Sequence, residues 1–139
     1  MRAAQYHVNP TAESHFAWLR TRYAVDRTFM AWLRTAASMI GFGFTIVQFF
    51  EHLVGMKEFE PPRLPNAPVF LGLALIGTGV IALTIALYEF TAVVRHLEEP
   101  QFQDIADASP HKTAAIVVAI ALIVTGIVAF VSILVRALF

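Results

Sequence analysis

Three long apolar runs constrain this chain more than any other feature: about Thr28 to Phe50, Val69 to Val94 and Ala114 to Val135. Each exceeds the roughly 20 helical residues needed to cross the hydrocarbon core of a bilayer. Gly and β-branched residues inside them do not argue against helix, because in lipid the backbone must satisfy its hydrogen bonds within its own segment. Transmembrane strands would alternate polar and apolar residues over about ten positions, and these runs do not. Hydrophobic residues make up 58% of the chain, charged residues 14%, and the mean hydropathy is +0.65, far from a soluble balance. The expectation is an all-α integral membrane protein in one domain over 1–139. It has spans over 28–50, 69–94 and 114–135, preceded by an amphipathic helix over 10–27.

The segments between the spans sharpen this plan. Asn9 and Pro10 suit a helix start, as cap and first helical residue. Phe16, Leu19 and Tyr23 then form an apolar row, with Arg20 and Arg27 on a different face. Nothing between this helix and the first span decides whether the two are continuous or bend near Val25-Asp26. The first loop carries Pro61, Pro62, Pro65 and Pro68, which favour an extended connection. In the second loop Pro100 stops the preceding helix, QFQDIADA suits a short surface turn, and Ser109-Pro110 marks the start of the third helix.

Basic residues near the spans set an expected orientation. Arg2, Arg20, Arg22, Arg27, Arg95 and Lys112 fall on one side, and Lys57, Arg63 and Arg136 on the other. This places the N-terminus and second loop in the cytoplasm and the C-terminus outside. MRAAQYHVNP lacks the apolar core of a signal peptide, so the first span is expected to persist in the mature protein.

Within this frame stands a ladder of arginines. Arg20, Arg27 and Arg34 are seven residues apart, and Glu13 extends the row. Seven residues are nearly two helical turns, so the row keeps one face, drifting about 20° per step and rising about 10 Å. Arg34 lies inside the first span, where a charge marks a functional site with a partner to be found. Glu89 is the other intramembrane charge, six residues before Arg95, as Arg34 is six past Thr28. Equal depth makes an Arg34–Glu89 pair, in one protomer or across two, the natural expectation, as a register-fixing neutralisation or as part of a site. Asp26 sits about 100° from Arg27 and off the ladder; Arg22, four residues earlier, or a second chain would be its partner.

Small residues form further rows: Ala37 and Gly41, then Ala74, Thr78, Ala82 and Ala86, then Ala121, Thr125 and Ala129. Such faces let membrane helices pack closely and suggest a compact bundle, within one protomer or between several. The histidines, at 7, 15, 52, 96 and 111, lack metal-pair spacing and read as surface groups. No cysteine is present, so no thiolate site exists. With no nucleophile elbow, phosphate loop or paired carboxylates, neither an enzyme nor a cofactor or metal site is expected. A net charge of zero gives no reason to expect nucleic acid.

The stretch VDRTFMAWLRTAASMIGFGF resembles the signature of the YidH-like family, the bacterial "domain of unknown function 202" membrane proteins. There an Asn-Glu-Arg-Thr-Phe-Leu-Ala-Trp-Leu-Arg-Thr motif introduces the first span. Arg27, Thr28, Phe29, Ala31, Trp32, Leu33, Arg34 and Thr35 match as they stand; Val25, Asp26 and Met30 replace Asn, Glu and Leu. The resemblance implies a three-span protein of the bacterial inner (plasma) membrane. It extends to the membrane domain of the eukaryotic vacuolar transporter chaperone complex, and there implies a ring whose first helices line a pore with basic residues facing a polyanion. Arg27 matches the arginine of the motif, and Arg20 is similar to a basic position seven residues earlier. Glu89-Phe90 departs from that pattern, standing where the complex has a further basic residue.

Two functions compete on this reading. In one, a homo-oligomer forms a conduit or binding site for an anionic, phosphate-containing solute through Arg20, Arg27 and Arg34, with Glu89 and Asp26 as charge partners. In the other, a structural or accessory membrane protein binds anionic lipid headgroups, or a partner membrane protein, through the same arginines.

Overall fold

The computed structural model describes residues 9–55, 66–102, 104–105 and 112–138. Three helices account for nearly all of them: α1 (Ala12–Val54), α2 (Ala67–Leu97) and α3 (Lys112–Leu138), joined up-down-up. All three are long and apolar enough to cross a membrane. The amphipathic stretch and the first span are one unbroken helix of 43 residues, about 65 Å long at 1.5 Å per residue. That is twice the thickness of a hydrocarbon core of about 30 Å, so one end of α1 extends well beyond it.

The start of α1 differs from the expected Asn9-Pro10 cap. Thr11 is the cap: its Oγ1 accepts from the Ser14 amide at 3.1 Å, and Ser14 Oγ accepts from the Thr11 amide at 3.0 Å. The same Ser14 hydroxyl donates to the Asn9 carbonyl at 2.9 Å. A serine serves here in the place that Glu or Gln more often takes, which hides the box in the sequence. The proposed start of α3 at Ser109-Pro110, and the four prolines of the first loop except Pro68, lie outside the described residues.

α1 and α2 form an antiparallel pair along a heptad-like seam. Buried positions on α1 run Trp18, Arg22, Phe29, Ala36, Ile40, Gly43, Val47; those on α2 run Gly72, Ile76, Gly79, Leu83, Ala86, Phe90, Val94, Leu97. Steps of three and four residues give the period of 3.5 that keeps a seam facing its partner in knobs-into-holes packing. Phe16 and Tyr23 of the apolar row are exposed, because they lie off this seam and do not pack on α2.

The seam is tightest near the end of α1. A Cβ on Gly43 would meet the Gly72 carbonyl oxygen at 2.7 Å, and one on Gly72 would collide with the Val47 side chain. Two glycines facing each other let the backbones approach where any side chain would separate them. α3 packs chiefly on α2, with a lighter contact to α1. Gly126 of α3 sits against Val80 and Ile40, and at the far end Arg136 reaches Glu51 at 3.5 Å. The small-residue rows read from the sequence mostly face outward: Gly41, Ala74, Thr78, Ala121 and Thr125 are exposed, and Ala86 alone is buried.

At the opposite end, Trp18, Leu97 and Ile105 close a small cluster around the 3-10 turn Pro100–Phe102. Trp18 Nε1 donates to the Leu97 carbonyl at 3.1 Å, and the His15 ring nitrogen Nδ1 pairs with the Ile105 carbonyl at 2.8 Å. His15, expected as a free surface group, thus ties the first turns of α1 to the α2–α3 connection.

Candidate functional site: an arginine face and a membrane groove

Arg20, Arg27 and Arg34 are all exposed, and the helical period explains why. The buried row Arg22, Phe29, Ala36, Gly43 is the same heptad displaced by two residues, about 200° around the helix. The ladder therefore points away from α2, and neither α2 nor α3 covers it.

The face around the ladder is a second heptad seam. Ala17, Arg20, Ala24, Arg27, Ala31, Arg34, Ser38, Gly41, Thr45 and Gln48 follow in alternating steps of three and four; all are exposed except Gln48, which is half-buried. Small residues alternate with arginines in its first half, and small polar residues continue it through the span. Ser38 and Thr45 donate to the carbonyls four residues before them, Arg34 and Gly41, at 3.0 and 2.8 Å. Their donors are thus satisfied inside the helix. A seam of this composition is a poor surface for lipid tails and a good one for close helix packing.

Glu89 does not meet Arg34. Both side chains are exposed, and among the described residues neither forms an ion pair within the protomer. The register is the reason. Phe29 stacks on Phe90, ring centroids 4.3 Å apart, so Glu89 is level with Thr28 to Met30. Arg34 lies more than a turn deeper and on the other side of α1; Arg27 lies within a turn of that level. Equal counts from Thr28 and from Arg95 do not mean equal height, because those two residues are not at one level, and within one protomer the pair does not form.

Glu89 lines a groove of about 280 Å³ between α1 and α2, with Thr21, Thr28, Trp32, Phe90 and Val93 among its walls. The groove is mostly apolar, and Glu89 supplies the sole charged group among its lining residues. Thr21 and Thr28 direct their hydroxyls to the carbonyls of Ala17 and Ala24.

The buried charge among the described residues is Arg22, which the sequence marks only as a flanking basic residue and a possible partner of Asp26. It is 4% exposed, and its Nε and Nη1 have no hydrogen-bond partner. Its Nη2 lies 3.6 Å from Asp26 Oδ1, an i,i+4 pair with Asp26 40% exposed. Its guanidinium carbon sits 5.6 Å from the centroid of the Phe90 ring. Asp26 therefore partners Arg22, one of the alternatives that spacing allowed. The signal available in the sequence was the step pattern 18, 22, 25, 29, which puts Arg22 on the apolar row.

The model of one family, the domain of unknown function DUF202, matches residues 16–96, which takes in α1 from the second turn, both walls of the groove and the whole ladder. No curated protein and no solved structure matches the chain.

Proposed function

From a chain that belongs to the DUF202 family and forms a small multi-pass membrane protein, we propose a homo-oligomeric membrane conduit or binding site for an anionic, phosphate-containing solute. The observation that carries this is the second seam of α1, where arginines alternate with alanines before Ser38, Gly41 and Thr45, covered by neither α2 nor α3. Against lipid, Arg34 would remain an unpaired charge at membrane depth, a costly arrangement. Against copies of itself around an axis, the seam packs through its alanines, and Arg20, Arg27 and Arg34 form stacked basic rings, the arrangement used in anion-selective pores. The N-terminus lies in the cytoplasm in this reading, so Arg20 and Arg27 line the inner vestibule. No catalytic chemistry is assigned to the site.

The test is anion flux into proteoliposomes by the wild type, Arg20→Gln and Arg34→Gln. Flux above background in the wild type, falling at least tenfold in Arg34→Gln, is the expected result. Equal background flux in all three rejects the conduit. Retention of anionic lipid by the wild type, lost in the variants, would then favour a headgroup-binding accessory protein.

A further inference from the structure

Among the described residues, Glu89 and Arg27 are two charges at about the same depth for which no ion pair is found within the protomer. Glu89 stands exposed in a groove otherwise walled by apolar and hydroxyl side chains. Arg27 stands exposed on the outer seam, within a turn of the same level as fixed by the Phe29–Phe90 stack. Within one protomer they do not pair. Thr28 opens onto the groove and Arg27 onto the seam, and consecutive helical residues point about 100° apart.

Copies inserted in one orientation and related by an axis along the bilayer normal keep every residue at its own height. Groups at equal depth can therefore meet across such an interface, and groups more than a turn apart cannot meet well. We propose that the groove of each copy receives the α1 seam of its neighbour, with Arg27 of that second copy paired to Glu89. The proposal rests on the homo-oligomer of the preceding section and specifies its interface. Charge complementarity selects the occupant: an uncompensated carboxylate and an uncompensated guanidinium, each expensive in a membrane alone, neutralise one another when joined.

The contact is head-to-tail, since Arg27 and Glu89 lie on different surfaces, the seam and the groove, which adjoin at Ala24. Seam and groove are about 100° apart on α1 rather than opposite, so successive copies turn about the axis, and a ring forms where that rotation closes. Arg27 has five N–H donors, so a carboxylate on one edge leaves others for the lumen. Arg20 and Arg34, a heptad to either side on the same seam, lie just beyond the Thr21-to-Trp32 stretch that walls the groove, so they stay outside this pair and are the cations left for a solute. Glu89 thereby acts at the subunit contact and leaves the charge of the outer and inner rings intact.

The chain has no cysteine, so introduced thiols are unambiguous. Ala31 and Ile85 are exposed and lie one turn deeper than Arg27 and Glu89 on the same faces. The variant carrying both Ala31→Cys and Ile85→Cys, which keeps both charges, is treated in membranes with a short bismaleimide. A ladder of covalent trimers and larger species is expected, whereas either single variant can join at most two chains. In parallel, Arg27→Glu and Glu89→Arg alone should each shift the oligomer toward monomer at least tenfold by native mass spectrometry, and the two together should restore it. An oligomeric wild type without the ladder, or without rescue in the double reversal, overturns this interface. A lipid retained in the groove of that oligomer would name the true occupant. Ladder and rescue without anion flux would leave the interface standing and remove the conduit, and a monomeric wild type would remove both.

Discussion

The guanidinium of Arg22 lies over the ring of Phe90, 5.6 Å from its centroid, and Phe90 in turn stacks on Phe29 at 4.3 Å and 19° between planes. One side chain of α2 thus covers a cation and an aromatic ring of α1. The cation is almost wholly buried, while its carboxylate partner Asp26 keeps contact with the surroundings. Arginine suits this place because its guanidinium is planar and weakly hydrated and its stem is apolar.

Arg22→Ala is expected to lower stability in detergent by about 2–4 kcal/mol, since it empties a packed position. Arg22→Met fills that space without two unpaired nitrogens and should stay within about 1 kcal/mol of the wild type, as buried ion pairs often tolerate apolar replacement. Thermal unfolding of both variants measures the difference. Equal losses would show that the charge over Phe90, and not the packing of its stem, holds the helices together here.

Much of the fold was legible because membrane spans announce themselves by length and hydropathy, and the three helices appear where the apolar runs are. The site was legible only in part. The ladder's common face follows from spacing alone, whereas its direction depends on which of two heptads pairs with α2. Polarity alone marks Phe16 and Tyr23 as an apolar row, for the headgroup level or a neighbour, and gives no reason to bury Arg22. The packed seam instead follows the alternation of three and four steps through Trp18, Arg22 and Phe29. Glu89 was found as an intramembrane charge, but its height relative to Arg34 required the α1–α2 register, which Gly43, Gly72 and the Phe29–Phe90 stack set together. The groove and the His15 contact join residues 60 to 90 positions apart and have no local signature.

The Trp18 indole anchors the α2–α3 connection through its bond to the Leu97 carbonyl. Trp18→Phe keeps most of the ring but leaves that carbonyl without its donor, at an expected cost of about 1–3 kcal/mol. Hydrogen exchange in the first turns of α1 and around Leu97 and Ile105 should accelerate, with the spans unchanged. Uniform acceleration along all three helices would show that Trp18 supports the whole bundle instead.

The Gly43–Gly72 crossing has no room for a side chain. Gly72→Val should destabilise the protein by about 1–3 kcal/mol or more through overpacking, visible as a lower unfolding temperature in detergent. A variant as stable as the wild type would mean that α1 and α2 do not approach as closely as 2.7 Å between a Gly43 Cβ and the Gly72 oxygen implies.

Orientation is open to a direct chemical check in the cysteine-free background. Ser14 lies in the first turn of α1, and Asn66 just precedes α2 at the other end of the hairpin. The basic asymmetry of the flanks is the ground for expecting the former in the cytoplasm. In intact cells, Asn66→Cys is expected to react with an impermeant maleimide and Ser14→Cys only after lysis. The reverse pattern would invert the topology and put the arginine vestibule on the outer face.

Gly41 separates the assembly from the protomer. It belongs to the outer seam, and a Cβ built on it meets nothing within 4 Å. Gly79, on the packed seam, would push against Ile40 and the Ala36 carbonyl at 2.9 and 3.1 Å. Gly41→Ala should leave the protomer as stable as before or more so by up to about 1 kcal/mol, from helix propensity alone. Gly41→Leu should also spare the fold, yet its bulk would hold neighbouring α1 helices apart where small residues let them close. The expected pair of results is unchanged helical content and unfolding temperature for Gly41→Leu, together with loss of the oligomer in native mass spectrometry, while Gly79→Leu loses thermal stability first. An oligomer that survives Gly41→Leu unaltered would show that the second seam of α1 is not where copies meet.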